Sequence, residues 1–187
     1  MDKQELTKIL TDHKIDLNLW GVGSAKTLDH LLKEVTEGET NLVVEDGKLV
    51  RKVRVMHVDV YARFDDEHHV RTFRLVETKQ VFKDGRTRIR KDMKYSISEK
   101  MLPAENPKAA ALRALSEELG VTDVITMEPI KEEGLETKES SSYPGLWTTF
   151  ESYVTTVKIN YNFHGFIERQ PDKSTYFDWV LVPQYTD

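Results

Sequence analysis

A chain of 187 residues with 32 acidic and 27 basic side chains carries a formal charge of -5. That balance argues against a general binder of nucleic acid or anionic membranes, both of which need a dominant basic surface. The absence of cysteine removes disulfides, thiol catalysis and thiolate metal sites. The length favours one domain, with or without an extension, that buries a sizeable core. No apolar run approaches the ~18 residues of a membrane span and the start is polar rather than signal-like, so a cytoplasmic location with no membrane partner is the expectation.

Leu6, Ile9 and Leu10 have helical spacing, and Leu17, Leu19 and Trp20 follow before the Gly21-Val22-Gly23 break. Ser24 is expected to cap a second helix in which Leu28, Leu31, Leu32 and Val35 form the apolar stripe and Gly38 closes the end. Residues 1–40 therefore read as a helical extension of a main domain over 41–187. The stripe is expected to pack on its own domain, with self-association into a homodimer as the alternative.

From Asn41 the period changes to two. Leu42-Val43-Val44, the turn Glu45-Asp46-Gly47-Lys48 and the run Val53, Val55, Val58, Val60, Tyr61 read as a hairpin. A second hairpin runs from Thr72 to Phe82, turns at Lys83-Asp84-Gly85 and returns through Arg86 to Arg90. Alternation there puts Arg86, Arg88 and Arg90 on one face. These arginines suit a phosphate, with a solvent-facing strand that neutralises nearby acids as the plainer alternative and RNA binding as a third. His57, His68 and His69 lack the spacing of a zinc site, and none is expected.

The stretch Glu105 to Val121 reads as a capped helix, with Asn106 as N-cap, Pro107 at the first helical position and Gly120 at the C-terminal stop. Ala111, Leu112, Leu115 and Leu119 are expected to form its packing face, and Arg113, Ala114, Glu117 and Glu118 the opposite one. Beyond it lie Val124-Ile125, an acidic segment from Lys131 to Glu139 expected to be irregular, and a turn-rich loop from Ser140 to Gly145. Trp147 is a candidate pocket wall able to stack a base. Strands follow over Phe150–Ile159 and Tyr176–Val182, separated by a turn at Gln170 to Lys173. The class expected is α+β or α/β, with a mixed sheet and one central helix.

The same stretch resembles the Nudix signature, G-x5-E-x7-R-E-U-x-E-E-x-G-U with U aliphatic. Glu105 falls on its first glutamate, Arg113 on the arginine, Leu115 on the aliphatic position, Glu117 and Glu118 on the paired glutamates, and Gly120-Val121 on the close. Two positions depart from it. Glu99, preceded by Ser98, stands where the signature opens with glycine, and Ala114 stands where a glutamate follows the arginine.

The resemblance implies an α-β-α sandwich that hydrolyses the diphosphate of a nucleoside diphosphate derivative with Mg2+ or Mn2+. Residue by residue it implies Glu117 and Glu118 as metal ligands, Arg113 as the residue that orients them, a contribution from the Ser98 carbonyl, and a structural role for Glu105. Arg88, Arg90 and Trp147 are then the candidate contacts to a nucleotide-like substrate. Without a carboxylate at 114 the cation is expected to bind more weakly, and Glu99, Glu139 or Glu151 could replace it. The alternative is a catalytically silent protein of this fold that binds a nucleotide, a metabolite or a protein partner.

Overall fold

The computed structural model describes residues 1–65, 69–90, 93–162 and 164–183; His68 lies outside them. The helices are α1 (Lys3–Asp12), α2 (Leu28–Thr36) and α3 (Pro107–Leu119), with one 3-10 turn at Leu17–Leu19. The strands are β1 (Asn41–Glu45), β2 (Lys48–Asp65), β3 (Val70–Phe82), β4 (Thr87–Ile89), β5 (Ile97–Lys100), β6 (Val124–Met127), β7 (Lys131–Glu139), β8 (Trp147–Asn160), β9 (Phe166–Arg169) and β10 (Lys173–Leu181). The class is α+β. None of the described helices is long and apolar enough to cross a membrane.

The chain divides into two compact units. One comprises Met1–Val55, Lys100–Asn106 and Glu132–Ser152, and the other Met56–Glu99, Pro107–Lys131 and Tyr153–Asp187. The long strands β2 and β8 each contribute to both.

In the first unit α1 opens with a capping box. Asp2 accepts from the backbone of Gln4 and Glu5, and Glu5 accepts from the Asp2 backbone at 2.9 Å. α2 is capped by Thr27 with His30 three residues on, not by Ser24. Ser24 is drawn into a turn, because Ala25 N–H donates to Val22 and Gly21 N–H donates to Lys26, so the helix cannot begin until 27. Leu6, Leu10, Leu31, Tyr143 and Leu146 are fully buried in one core, so both N-terminal helices bury their stripes within this unit.

The β1–β2 hairpin turns on Asp46 (φ 50°) and Gly47 (φ 75°), with Glu45 opposite Lys48. Two positive φ values in a row are what a two-residue hairpin turn of matching twist requires. The segment 131–139, expected to be irregular, is instead strand β7 paired with β8. It is polar on both sides and almost wholly exposed, so it shows no alternation for a sequence reading to find.

Glu34 lies inside this unit and takes three cations. Arg51 Nη2 is 2.6 Å from one oxygen, and the Lys26 and Lys100 ammoniums are each 2.7 Å from the other. Burial works to raise its pKa. The charges of Arg51 and Lys100, with hydrogen bonds from Lys100 and Lys26, outweigh burial and lower it to about 2.

In the second unit the strand order is β6-β8-β2-β3-β10-β9, with β4 paired to β3. Met56, Val58, Leu75, Leu115 and Ile159 are buried there at 0–2% exposure. α3 packs against β9. Its inward face differs from the expected one, since Ala110, Ala111, Ala114, Leu115 and Leu119 are buried while Leu112 is 40% exposed. Three alanines give a flat surface that lies close against its neighbours, and that choice turns Leu112 outward. Ala114 therefore belongs to the packed side, and Glu118, one turn later, shares it.

Candidate functional site

The inward side of α3 leads to a small, mainly polar cavity of the second unit, about 170 Å³ in volume. Glu118 reaches it from α3, Ser98 and Glu99 from β5, and Glu168 from β9. Glu77 and Gln80 come from β3, Lys173 and Thr175 from β10, and Arg90 from the end of the second hairpin.

A backbone irregularity lets Glu77 and Gln80 share this cavity. Along β3, Glu77 faces Phe177, Lys79 faces Tyr176 and Gln80 faces Thr175, so Thr78 is an extra residue with no partner position. A bulge of this kind resets the parity of the strand. Residues three apart, which would point to opposite faces of a regular strand, are here both buried, at 8% and 5% exposure.

The charges of the cavity oppose one another. Glu118 is pushed up to about 9, first by burial and then by the neighbouring carboxylates of Glu168, Glu99 and Glu77, with Lys173 acting the other way. Glu77 is also raised, by burial, against the pull of Arg90, Lys173 and Arg88. One of its oxygens, Oε1, is buried without a hydrogen bond, its separation from Arg90 Nε being 3.4 Å. The Thr175 hydroxyl is likewise buried without a hydrogen bond. By contrast, Glu168 accepts from the Gln170 amide, and Arg90 Nη2 donates to Met93 Sδ at 2.9 Å.

Of the residues singled out in the sequence, the structure brings Glu118, Ser98 and Arg90 into this cavity. Glu117 does not line it. Its side chain is 58% exposed and accepts from Arg113 Nη1 at 2.9 Å, and the same guanidinium nitrogen is 3.7 Å from Glu99. Arg113 thus ties the outer side of α3 to β5. Arg88 is exposed on β4, opposite Gln80 in register, and Arg86 pairs with Asp84 at 2.6 Å. Trp147 belongs to the first unit, 41% exposed, with the Lys48 ammonium 5.7 Å from its ring centroid.

Of the possible replacement carboxylates, Glu99 lines the cavity. Glu139 and Glu151 belong to the first unit, where Glu139 accepts from Gly145 N–H at 2.9 Å and Glu151 lies 3.6 Å from Arg54 Nε. Glu105 has a structural place in that unit: its side chain accepts from Leu102 N–H at 2.9 Å and its carbonyl from Arg54 at 3.1 Å. His57 Nδ1 is 2.8 Å from Ser98 Oγ, and its ring stacks on Tyr95.

Sequence reading missed Glu77, Gln80, Glu168, Lys173 and Thr175. The bulge hides the parity of the first two, and the others sit on strands brought together only by tertiary pairing. The lining carries carboxylate and hydroxyl side chains of the kind a hard divalent cation takes, one carboxylate oxygen being buried without a hydrogen bond, together with the cations of Arg90 and Lys173. Among the described residues, no group of three or more His, Asp or Glu side chains is placed to hold a metal ion.

A second, larger cavity of about 490 Å³ lies in the first unit, walled by Glu39 to Asn41, Lys52 to Arg54 and the loop Met101 to Ala104. Ala104 is in the left-handed region, at φ 56°.

No family model matches the chain, and no curated protein matches it. Among solved structures it is similar to the crystal structure of C. elegans Ap4A hydrolase, at 14% identity and a TM-score of 0.34, over 68% of this chain and 78% of that one. It is also similar to a mutT/nudix family protein from Listeria innocua, at 14% identity and a TM-score of 0.33, over 57% and 65% of the two chains.

Proposed function

We propose that the protein is a Nudix-type hydrolase that splits the diphosphate of a nucleoside diphosphate derivative with the help of Mg2+ or Mn2+. One observation carries this reading. Glu118, which the motif resemblance puts on a metal-binding position, lines a polar cavity together with Ser98, Arg90 and three further glutamates. Carboxylates crowded until burial and mutual repulsion raise their pKa are what a divalent cation relieves.

Glu118 and one neighbouring carboxylate would hold the ion, with Ser98 on the wall beside them. When bound, it supplies Lewis-acid charge to a phosphate and lowers the pKa of a water. Arg90 and Lys173 place two positive charges in the same cavity, where they attract the non-bridging oxygens of a diphosphate. Arg113 acts at one remove, holding Glu117 and standing beside Glu99.

The test is release of nucleotide or phosphate from a panel of nucleoside diphosphate derivatives with Mg2+ or Mn2+, followed by chromatography. Release that requires the cation and disappears in Glu118→Gln is expected. No release across the panel from folded protein sinks the proposal.

A second reading is favoured by Ala114. Its complete burial shows that α3 is packed through the position where the motif has a carboxylate, which suits a protein that binds a nucleotide, metabolite or partner without turnover. Thermal stabilisation by ligand with no product formed would support that reading.

A further inference from the structure

We propose that the cavity of about 490 Å³ in the first unit is a binding site for a small, uncharged, largely apolar molecule. The inference does not depend on the reading of the Glu118 cavity, which belongs to the other unit.

Its size and surface suit such a ligand. The volume lies within the range of roughly 300–1,000 Å³ typical of small-molecule sites. The surface is mainly apolar, with Met101, Leu102, Pro103 and Leu135 among the residues that line it. Leu135 is 72% exposed and Leu102 37%. Two large aliphatic side chains left in water at an apolar hollow are surface that a ligand of the same character would cover.

The charges define what the site excludes. Glu39, Lys52, Arg54 and Glu151 also line it, two of each sign. Each is engaged within the unit. Lys100 Nζ is 2.7 Å from Glu39, Lys52 Nζ is 2.5 Å from Glu45, and Arg54 Nε is 3.6 Å from Glu151. Arg54 Nη1 also donates to the Glu105 carbonyl at 3.1 Å. A charged ligand would give up its water against an apolar wall and meet only charges already balanced. An uncharged one gives up little, and the Asn41 amide on the same wall can exchange a hydrogen bond with it.

The wall is built before any ligand arrives. Met101 N–H donates to the Arg54 carbonyl at 2.9 Å, Glu105 accepts from Leu102 N–H at 2.9 Å, and Thr40 Oγ1 donates to the Lys52 carbonyl at 2.9 Å. Pro103 rests against Gly38, where a Cβ would collide with its ring. Ala104 is held at φ 56°, a left-handed conformation that a non-glycine residue keeps only where its surroundings impose it. A wall fixed in this way spares the ligand the cost of ordering its own site.

The experiment is a fluorescence titration of the full chain with two probes, N-phenyl-1-naphthylamine and its sulfonated relative 8-anilinonaphthalene-1-sulfonate. They share one ring system and differ by a charge. Wild type, Leu135→Asp, Leu102→Asp and Ile125→Asp are compared, the last placing a charge at an exposed apolar position of β6 in the second unit. Near-ultraviolet circular dichroism checks that each is folded. The uncharged probe is expected to bind wild type at one site, at least tenfold more tightly than the sulfonate. Leu135→Asp and Leu102→Asp are each expected to weaken it at least fivefold, and Ile125→Asp less than twofold. If the uncharged probe does not bind, or binds both Leu variants as it binds wild type, the site is overturned. If the two probes bind wild type equally, the assignment to an uncharged ligand is overturned. Should Leu102→Asp fail to fold, Leu135→Asp decides the matter alone.

Discussion

Ala114 stands one helical turn before Glu118 on the same inward side of α3, and the alanine is fully buried. Restoring an acid at 114 would therefore not simply rebuild a motif. Ala114→Glu would bury a further carboxylate beside one that already resists ionisation. An uncompensated buried charge costs about 3–5 kcal/mol, and a ligand that binds the native state offsets part of such a cost. The variant is expected to unfold well below wild type in chelator and to recover more than wild type does in excess Mn2+. Thermal unfolding in the two buffers checks this, and an unchanged midpoint in chelator would contradict the inward orientation of α3.

The paired glutamates of the motif are expected to behave differently from each other. Glu117 is exposed and held by Arg113 at 2.9 Å, whereas Glu118 lines the cavity. Glu117→Gln removes an exposed i, i+4 pair worth at most about 0.5 kcal/mol. Its effect on Mn2+ affinity is expected to be at least fivefold smaller than that of Glu118→Gln. Equal losses in the two variants, measured by calorimetry, would mean that Glu117 also reaches the ion.

The local features of this protein were legible in its sequence and the convergent ones were not. The stripe of Leu6, Leu10 and Leu31, the Asp46-Gly47 turn and the limits of α3 follow from short-range rules of period and capping, and the structure has them where those rules put them. The face of α3 did not follow. A leucine-based stripe weighs side-chain size, while the packing here selects three alanines and leaves Leu112 outside. The cavity was half legible: Glu118 lies in the motif, Ser98 beside its altered opening and Arg90 in the alternating arginines, but Glu77 shares a side with Gln80 only because a bulge at Thr78 breaks the two-residue period. Lys173 reaches the site on β10, which pairs with β3 from far earlier in the chain and so beyond any local pattern, and Glu168 reaches it on β9, which pairs with β10.

Gly165 governs that last pairing. It has φ +63°, and a Cβ there would lie 2.2 Å from the Phe177 carbonyl oxygen, at the start of the β9–β10 ladder. Gly165→Ala must displace backbone as well as adopt a left-handed conformation. Gly120 has a similar φ of +65° but open space around it, so Gly120→Ala meets the conformational cost alone, about 1–2 kcal/mol. Gly165→Ala is expected to cost at least twice as much in urea denaturation. Because β9 carries Glu168 into the cavity, it is also expected to weaken Mn2+ binding. Equal costs for the two variants would argue against the close approach at Phe177.

Glu34 gives the first unit a pH dependence whose direction is fixed by its partners. Its pKa is lowered from 4.5 to about 2, because Arg51 and Lys100, with the hydrogen bonds of Lys100 and Lys26, outweigh the opposing effect of burial. A depressed carboxylate contributes stability that is complete above its unfolded pKa and is lost as the pH falls through the folded one. The contribution, about 3 kcal/mol from the size of the shift, is therefore present above about pH 4.5 and fades toward pH 2. Glu34→Gln leaves the buried Arg51, at 4% exposure, without its counter-charge, so a loss of about 3–5 kcal/mol is expected at pH 7. The variant lacks the titrating group, and its deficit relative to wild type should shrink by about 3 kcal/mol between pH 5 and pH 2. Urea denaturation of both proteins across that range measures the deficit directly; a deficit that stays constant with pH would show that Glu34 is not held ionised by its three cations.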